Sequence, residues 1–348
     1  MCIRDSVYTM RTLLTGATGL IGANLVRTLL RAGERPRVLL TPGSDARSLG
    51  GLDLERVSGD VRDAHSLAKA MTGVQRVFHA AGHVRFDQAG RLLLMTINVE
   101  GTRQVLQAAR SAGVRRLVHV SSSVAIGHGT LDRPATEEAA PLEPGTPYAE
   151  SKRAAEELAL GDWGDLQVVV CNPTFVVGAY GTGATSAEVV RLVASGVVKA
   201  YPPGGANFVN ADDVADGLVL AMRAGRPRTR YILGGENLTH HDFLSQIAEE
   251  CGQRPPTVPL PGWAAQALGL AGDVLGALSS ARLGWVNTPF LRQLFEPTYV
   301  SSALAQRTLG YRPLPVRHGI RDALRWYQEQ GLLPRDRPLT PRGVLVRS

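Results

Sequence analysis

The sequence predicts an α/β fold, a doubly wound parallel sheet with a smaller C-terminal substrate-binding lobe, and three observations carry the prediction. Short β-type runs alternate with helical stretches from Arg11 to about Asn172. Two of the runs, Leu117-Val118-His119-Val120 and Val168-Val169-Val170, are almost continuously apolar, as strands covered by helices on both faces must be. Beyond Asn172 the alternation loosens, and Pro202-Pro203-Gly204-Gly205 and Arg254-Pro255-Pro256 punctuate the chain, as turns between shorter elements do.

The strand candidates, in order, are residues 11–15, 37–40, 56–58, 76–79, 117–121 and 167–170. Residues 101–112 carry Val105, Leu106 and Ala109, and residues 148–160 carry Ala154, Ala155 and Leu158; both sets have helical spacing and read as crossover helices. The expected organisation is a core over 10–172 and a mainly substrate-binding lobe over 173–335, with some segments returning to the core. Residues 1–9 lack the apolar centre of a signal peptide and precede a second methionine, Met10, so they read as a leader foreign to the fold. Residues 336–348 read as a frayed tail.

Composition narrows the classes. The chain has 348 residues, 44% of them hydrophobic, enough to fill one large α/β core and an appendage. Cys2, Cys171 and Cys251 are far apart and form no CxxC pair, so neither a disulfide framework nor a metal site is expected, and a reducing, cytoplasmic setting fits. The net charge is +7, but the arginines are scattered and aromatics are only 5%, which argues against a nucleic-acid partner. No apolar run reaches the ~18 residues of a transmembrane segment. The nearest, residues 263–278, is interrupted by Gln266 and Asp273, and its small residues suit a buried or substrate-covering helix better than a bilayer span, with peripheral membrane contact left open.

Gly16, Gly19 and Gly22, in the run Thr15-Gly16-Ala17-Thr18-Gly19-Leu20-Ile21-Gly22, follow the first strand and open a helix. Such a loop bends tightly, lets a pyrophosphate approach bare backbone and aims helix-terminal N–H groups at it. With the strand before and the helix after, this reads as the phosphate loop of a Rossmann dinucleotide-binding core; alone, three glycines make only a turn. Asp60 and Val61 end the third strand, where a carboxylate can accept from an adenine amino group, although Asp63 is better placed to cap the next helix. Ala80, Ala81 and Gly82 bring small residues to the end of the fourth strand, leaving room for ribose and nicotinamide or serving as packing. After the second strand, Thr41 stands where an acid would hold the ribose of NAD. Arg47 is near enough in sequence to meet a 2′-phosphate, so NADP(H) is favoured over NAD(H), with Asp45 keeping NAD open.

Tyr148 and Lys152 lie four apart, on one face of a helix. A phenol of pKa ~10 is a poor base near neutrality, and a fixed ammonium beside it stabilises the phenolate. Upstream, Ser121-Ser122-Ser123 closes the fifth strand, where a hydroxyl can bind a substrate oxygen whose charge changes during reaction. Each feature alone is commonplace. In this order within one βα array they converge, because ligands bind outside the strands' carboxyl ends.

With these motifs on one chain, the sequence resembles the extended short-chain dehydrogenase/reductase family and its NAD-dependent epimerase/dehydratase group, from about Arg11 to Leu332. The run Asn98-Val99-Glu100-Gly101-Thr102 and the pair Asn172-Pro173 add to the match. The resemblance implies that Tyr148 is the catalytic acid/base, that Lys152 tunes it and holds the nicotinamide ribose, and that Ser122 positions the substrate oxygen. It further implies cofactor contacts from Gly16, Thr18, Gly19, Leu20, Ile21, Gly22 and Pro173, with Asn98 beside the cofactor and Ser123 and Asn172 on the substrate wall. It also implies a homodimer through the helices near 98–112 and 148–160.

The departures select among reactions. Dehydratases of the group carry an acidic pair just after the catalytic hydroxyl, whereas this chain reads Ser123-Val124-Ala125. Nucleotide-sugar epimerases carry an arginine before the Asp-Val-Ala helix to neutralise a diphosphate; here the stretch is Gly205-Ala206-Asn207-Phe208-Val209-Asn210. The stretches 231–239 and 309–313 resemble a bacterial branch near dihydroflavonol reductases and hopanoid-associated epimerases named by homology. The expectation is an NAD(P)-dependent oxidoreductase of a carbonyl or secondary alcohol on a fairly apolar small molecule. The alternatives are a nucleotide-sugar epimerase and, remotely, a non-catalytic dinucleotide sensor.

Overall fold

The computed structural model describes residues 10–140, 145–181, 183, 185–278 and 287–334. The expected leader, 1–9, and tail, 336–348, lie outside the described residues. The strands are β1 (Thr12–Thr15), β2 (Arg37–Leu40), β3 (Glu55–Ser58), β4 (Arg76–His79), β5 (Arg116–Val120), β6 (Gln167–Pro173), β7 (Phe175–Val177), β8 (Ala200–Tyr201), β9 (Gly205–Asn210), β10 (Arg230–Leu233), β11 (Glu236–Thr239), β12 (Val258–Pro259) and β13 (Pro297–Thr298). The helices are α1 (Leu20–Arg31), α2 (Ala64–Ala70), α3 (Arg91–Leu94), α4 (Gly101–Ser111), α5 (Pro147–Ala159), α6 (Thr185–Ala194), α7 (Ala211–Ala224), α8 (His240–Glu250), α9 (Gly262–Leu278), α10 (Thr288–Gln293), α11 (Ala303–Leu309) and α12 (Arg317–Glu329).

Seven strands form one sheet in the order β10-β6-β5-β4-β1-β2-β3, and every pairing in it is parallel. Successive side chains along a strand face opposite ways, so each strand feeds two cores. Leu14, Phe78, Val118 and Val169 pack with α1 and α7 on one face. Leu13, Val77, Leu117 and Val168 pack with Leu67 of α2, Val105 and Leu106 of α4 and Ala159 of α5 on the other. That two-sided demand explains the continuous apolar runs, and the doubly wound parallel sheet is confirmed.

Two features differ from the sequence reading. The sheet has a seventh strand, β10, paired Arg230 to Val170 through Leu233 to Pro173; its apolar run Tyr231-Ile232-Leu233 is short and lies beyond the point where alternation ceases. Among its described side chains, helix α9 is mostly exposed and lines no part of the cavity described below. A narrow stripe of it, with Ala265 and Gly269, is buried against α10, and Trp263, Leu268 and Leu270 are exposed. The sequence shows the helix's small residues but not the side on which they are used.

The remaining strands build smaller sheets beyond the main sheet's carboxyl ends: β9 pairs with β7, β11 and β13, and β8 pairs with β12. A third core joins Val190 of α6, Phe208 of β9, Phe243 and Ile247 of α8, and Ile320, Leu324 and Tyr327 of α12. Among the described residues no helix is long and apolar enough to cross a membrane.

Candidate active site

The site begins at the β1–α1 turn. Gly16 has φ +73°, and a Cβ on it would lie 2.4 Å from the backbone of Ala80; a Cβ on Gly22 would lie 2.1 Å from the Gly16 carbonyl oxygen. Both positions must be glycine for the loop to close against β4. Gly19 differs, because the nearest protein atom to a Cβ there is 3.5 Å away. It begins α1 with no side-chain cap and no acidic residue in the first turn. The helix's first N–H groups are therefore left for an anion.

Beyond this loop opens a cavity of about 580 Å³. Gly16, Thr18, Gly19, Leu20, Ile21, Gly22, Ala80, Gly82, Ser122, Ser123, Tyr148, Lys152 and Pro173 all line it. Residues separated by more than 150 positions in sequence thus meet at the carboxyl ends of β1, β4, β5 and β6, as the topology requires.

Helix α5 is started by Thr146, whose Oγ1 accepts from Ala149 N at 3.1 Å, with Pro147 as its first residue. One turn then carries Tyr148 to Lys152. The Lys152 ammonium donates to the Val120 carbonyl at 2.8 Å and is buried. Burial pushes its pKa down to about 8, with Glu156 pulling the other way. Ser122 is extended (φ −159°), and its Oγ caps the turn formed by Ser123–Ala125. Burial raises the Tyr148 phenol above its ordinary value, and a hydrogen bond with Ser122 opposes that rise. The sequence expectation of a phenol lowered by Lys152 is thus reversed in this site: desolvation dominates. Ser121 Oγ also stands at the cavity, buried and without a hydrogen-bond partner. An orphan hydroxyl at this place fits a ligand that supplies the missing partner.

Other expected residues fall elsewhere. Asn172 is fully buried and does not wall the cavity, a correction to the sequence reading; its amide donates to the Ser122 carbonyl at 3.0 Å and to the Glu156 carboxylate. Glu156 in turn pairs with Arg230 at 3.0 Å, so Asn172 braces the Ser122 backbone from behind. Asn98, in a π-helical turn Met95–Glu100, holds the backbone of His83 through 2.7 and 3.0 Å bonds and donates to Ser151 at 2.9 Å. It shapes the Gly82–His83 turn rather than lining the cavity. Val61 is packed in the core, and Ala81 bonds through its N–H to Thr15 Oγ1 at 3.3 Å. Asp60 is held by Arg62 at 2.7 Å, which keeps its carboxyl below the usual range; Asp63 caps α2.

At the far end of the glycine loop, Thr41 and Arg47 are exposed and off the cavity wall, and it is Asp45 that lines it. Arg47 is clamped to Asp45 at 2.6 Å. Ser48, not foreseen from the sequence, is buried and donates to the Thr18 carbonyl at 3.0 Å, tying this segment to the glycine loop.

The opposite wall escaped the sequence reading. Phe86 meets the Tyr148 ring edge-on at 5.8 Å and the Phe290 ring at 5.0 Å, and Val84, Phe175, Val176, Leu294 and Val300 extend the apolar lining. Its polar members include His83, His128, His240, Asn207, Gln293 and Ser186. Burial holds all three histidines below their ordinary pKa, His240 down to about 4, so they are neutral near pH 7. Among the described lining residues, Lys152 is the sole lysine or arginine. Asn207 is consumed by Thr174, Gly235 and Asn237. One local signal for this wall was available: Asn287 followed by Thr288-Pro289 is a helix start, and Asn287 does cap α10.

Comparison with known proteins places this geometry. The chain is 36% identical over 330 residues to the sterol demethylase protein B of Methylococcus capsulatus, covering 93% of this chain and all of that one. It is 32% identical to a protein of Synechocystis provisionally named dihydroflavonol 4-reductase, over 91% of this chain and 94% of the other. The crystal structure of DesIV, a dTDP-glucose 4,6-dehydratase from Streptomyces venezuelae with NAD bound, superposes with a TM-score of 0.72 at 27% identity, covering 94% of this chain and 99% of that one. Residues 12–234 match the model of the NAD dependent epimerase/dehydratase family. The chain belongs to the NAD dependent epimerase/dehydratase family, an extended short-chain dehydrogenase/reductase group of nicotinamide-dinucleotide enzymes.

Proposed function

We propose that the protein is an NAD(P)-dependent oxidoreductase that interconverts a carbonyl and a secondary alcohol on a fairly apolar small molecule, with Tyr148 as acid/base. The observation that carries this is the contrast within one cavity. Ser122, Tyr148 and Lys152 stand together at the strand ends, and the facing wall combines aromatic and aliphatic side chains with neutral polar ones and holds no arginine among its described residues. A sugar-nucleotide diphosphate would need a cationic clamp there; an alicyclic ketone needs none. The relatives named for a sterol and a flavonol reaction point the same way.

The backbone of Gly16–Gly22 and the start of α1 would hold the pyrophosphate, and Lys152 and Ser121 would face the ribose and nicotinamide. A bound nicotinamide would supply or accept the hydride at the carbonyl carbon. Tyr148, raised by burial, stays protonated near neutrality and donates to the substrate oxygen. Ser122 donates to the same oxygen as charge builds on it. The Lys152 ammonium, one turn away, stabilises the phenolate left behind. These assignments favour the reductive direction.

For the adenosine end we propose NADP(H). The Asp45–Arg47 pair is exposed and therefore weak, so Arg47 is free to turn to a 2′-phosphate. Asp45 would instead accept from the ribose hydroxyls of NAD(H). A homodimer through α4 and α5 is proposed as well, and sedimentation of the purified protein tests it. For the reaction, the experiment is NADPH consumption over a panel of alicyclic and aromatic ketones. Turnover of a UDP-sugar with tightly retained NAD and no net redox change would replace the reductase by an epimerase.

A further inference from the structure

The surface of the molecule is unevenly charged. Half of the large apolar side chains that stand exposed among the described residues belong to one stretch and to the segment leading into its pairing strand: Val197, Val258, Trp263, Leu268 and Leu270, between 52% and 75% exposed. They are contiguous in the fold, because β12 pairs with β8, Val258 N donates to the Lys199 carbonyl at 3.2 Å, and α9 follows β12 directly. From 251 to 272 the chain has no acidic residue. The single ionisable group of α9 is Asp273, and its carboxylate is taken up by Thr288, through Oγ1 at 2.7 Å and the backbone N–H at 3.3 Å. Lys199, Arg254 and Arg292, on the segments that flank or carry α9, are exposed and have no acidic partner among the described residues.

We propose that this face, α9 with the β8–β12 ribbon, rests on a lipid bilayer bearing anionic headgroups. The charge pattern selects lipid over a protein partner. A protein interface supplies about one hydrogen bond per 100–200 Å², and the described exposed residues of α9 offer only Gln266 as an uncommitted polar side chain. An interfacial helix needs apolar side chains with an interfacial aromatic, and cations at its edge to meet headgroup phosphates. Trp263, Leu268 and Leu270 supply the first, and Lys199, Arg254 and Arg292 the second. The position has a consequence for the cavity: α9 packs on α10, which contributes Phe290 and Gln293 to its wall, with Leu294 following as the helix's C-cap. An apolar ligand dissolved in the bilayer would meet the protein beside that wall.

The test is co-sedimentation of the whole protein with vesicles of phosphatidylcholine alone or of equal parts phosphatidylcholine and phosphatidylglycerol. The wild type is expected to sediment with the mixed vesicles, its binding falling with added salt, and Trp263 emission, read as the difference from Trp263→Ser, is expected to shift to shorter wavelength. The triple variant Trp263→Ser, Leu268→Ser, Leu270→Ser should lose at least about tenfold in vesicle partitioning while keeping NADPH affinity. Replacing Lys199, Arg254 and Arg292 by Gln should remove the preference for phosphatidylglycerol. Wild type left in the supernatant with both vesicles, or a triple variant that binds equally well, would overturn the proposal. So would a concentration-dependent dimer that the triple variant abolishes, since that makes a second copy the occupant. None of these readings depends on the reductase activity.

Discussion

The two walls of the cavity are built on different principles. The cofactor-side wall is made of backbone: glycines whose missing side chains let β1, α1 and β4 close to within a Cβ diameter, and helix N–H groups aimed outward. The facing wall is made of side chains delivered by separate segments, with Phe86 from the turn after β4, Phe175 from β7, Phe290 from α10 and Leu294 from its C-cap. The first wall is sterically obligatory at Gly16 and Gly22. Under the proposed function it fixes what kind of ligand binds, and the second sets which substrate enters.

The contrast can be broken by substitution, and the largest effect falls on the catalytic end of the obligatory wall. Tyr148→Phe keeps ring packing on Phe86 and removes the proton; turnover should fall roughly a thousandfold with NADPH affinity unchanged in a binding titration. Retained turnover would remove Tyr148 from the reaction. Next, Gly16→Ala forces a Cβ to 2.4 Å from the Ala80 backbone in a left-handed conformation and should cost about 3 kcal/mol or more in urea unfolding. A loss under about 1 kcal/mol would mean that the loop can open.

On the second wall, Phe290→Ala should raise KM for apolar ketones about tenfold and leave NADPH affinity as it was. A larger effect on cofactor than on ketone would show that the two walls are not separable in function.

A smaller effect is pH-dependent. Lys152 has a folded pKa of about 8 against an ordinary 10.5, so between those values the unfolded chain binds more protons than the folded one. Stability should therefore rise with pH from about 8 to about 10.5, relative to Lys152→Met. A flat difference between the two proteins would show that the ammonium is not desolvated. The smallest effect is at the exposed end: Arg47→Ala should weaken NADPH several-fold, on the order of one solvent-exposed ion pair, and leave NADH nearly unchanged. An equal loss for both would take Arg47 out of the site.

The same contrast explains what the sequence could tell. Gly16, Gly19 and Gly22, the serines after β5 and the Tyr148–Lys152 turn are local patterns, each legible within a short run of residues, although what makes Gly16 obligatory is the distant backbone of Ala80. The parallel sheet was legible for the same reason, since two-sided burial leaves runs such as Val168-Val169-Val170. Strand β10 was not, because its place at the sheet edge depends on a pairing with β6 some 60 positions earlier. Phe86, Phe290 and Leu294 carry no local pattern, and only the fold brings them to Tyr148. Asn172 was misplaced because its neighbour Pro173 reaches the cavity while its own side chain faces Glu156. Adjacent residues of a strand point to opposite faces, and spacing alone does not say which is which.

The central claim, hydride exchange with an apolar ketone and not the rearrangement of a nucleotide sugar, is tested most directly by isotope transfer. The protein is given NADPH deuterated at the transferable position of the nicotinamide ring, with the ketone turned over best in the panel. The account predicts deuterium on the carbinol carbon of the product and one equivalent of oxidised cofactor for each alcohol formed. Product without deuterium, or a nucleotide sugar inverted with no net change in cofactor oxidation state, would contradict it.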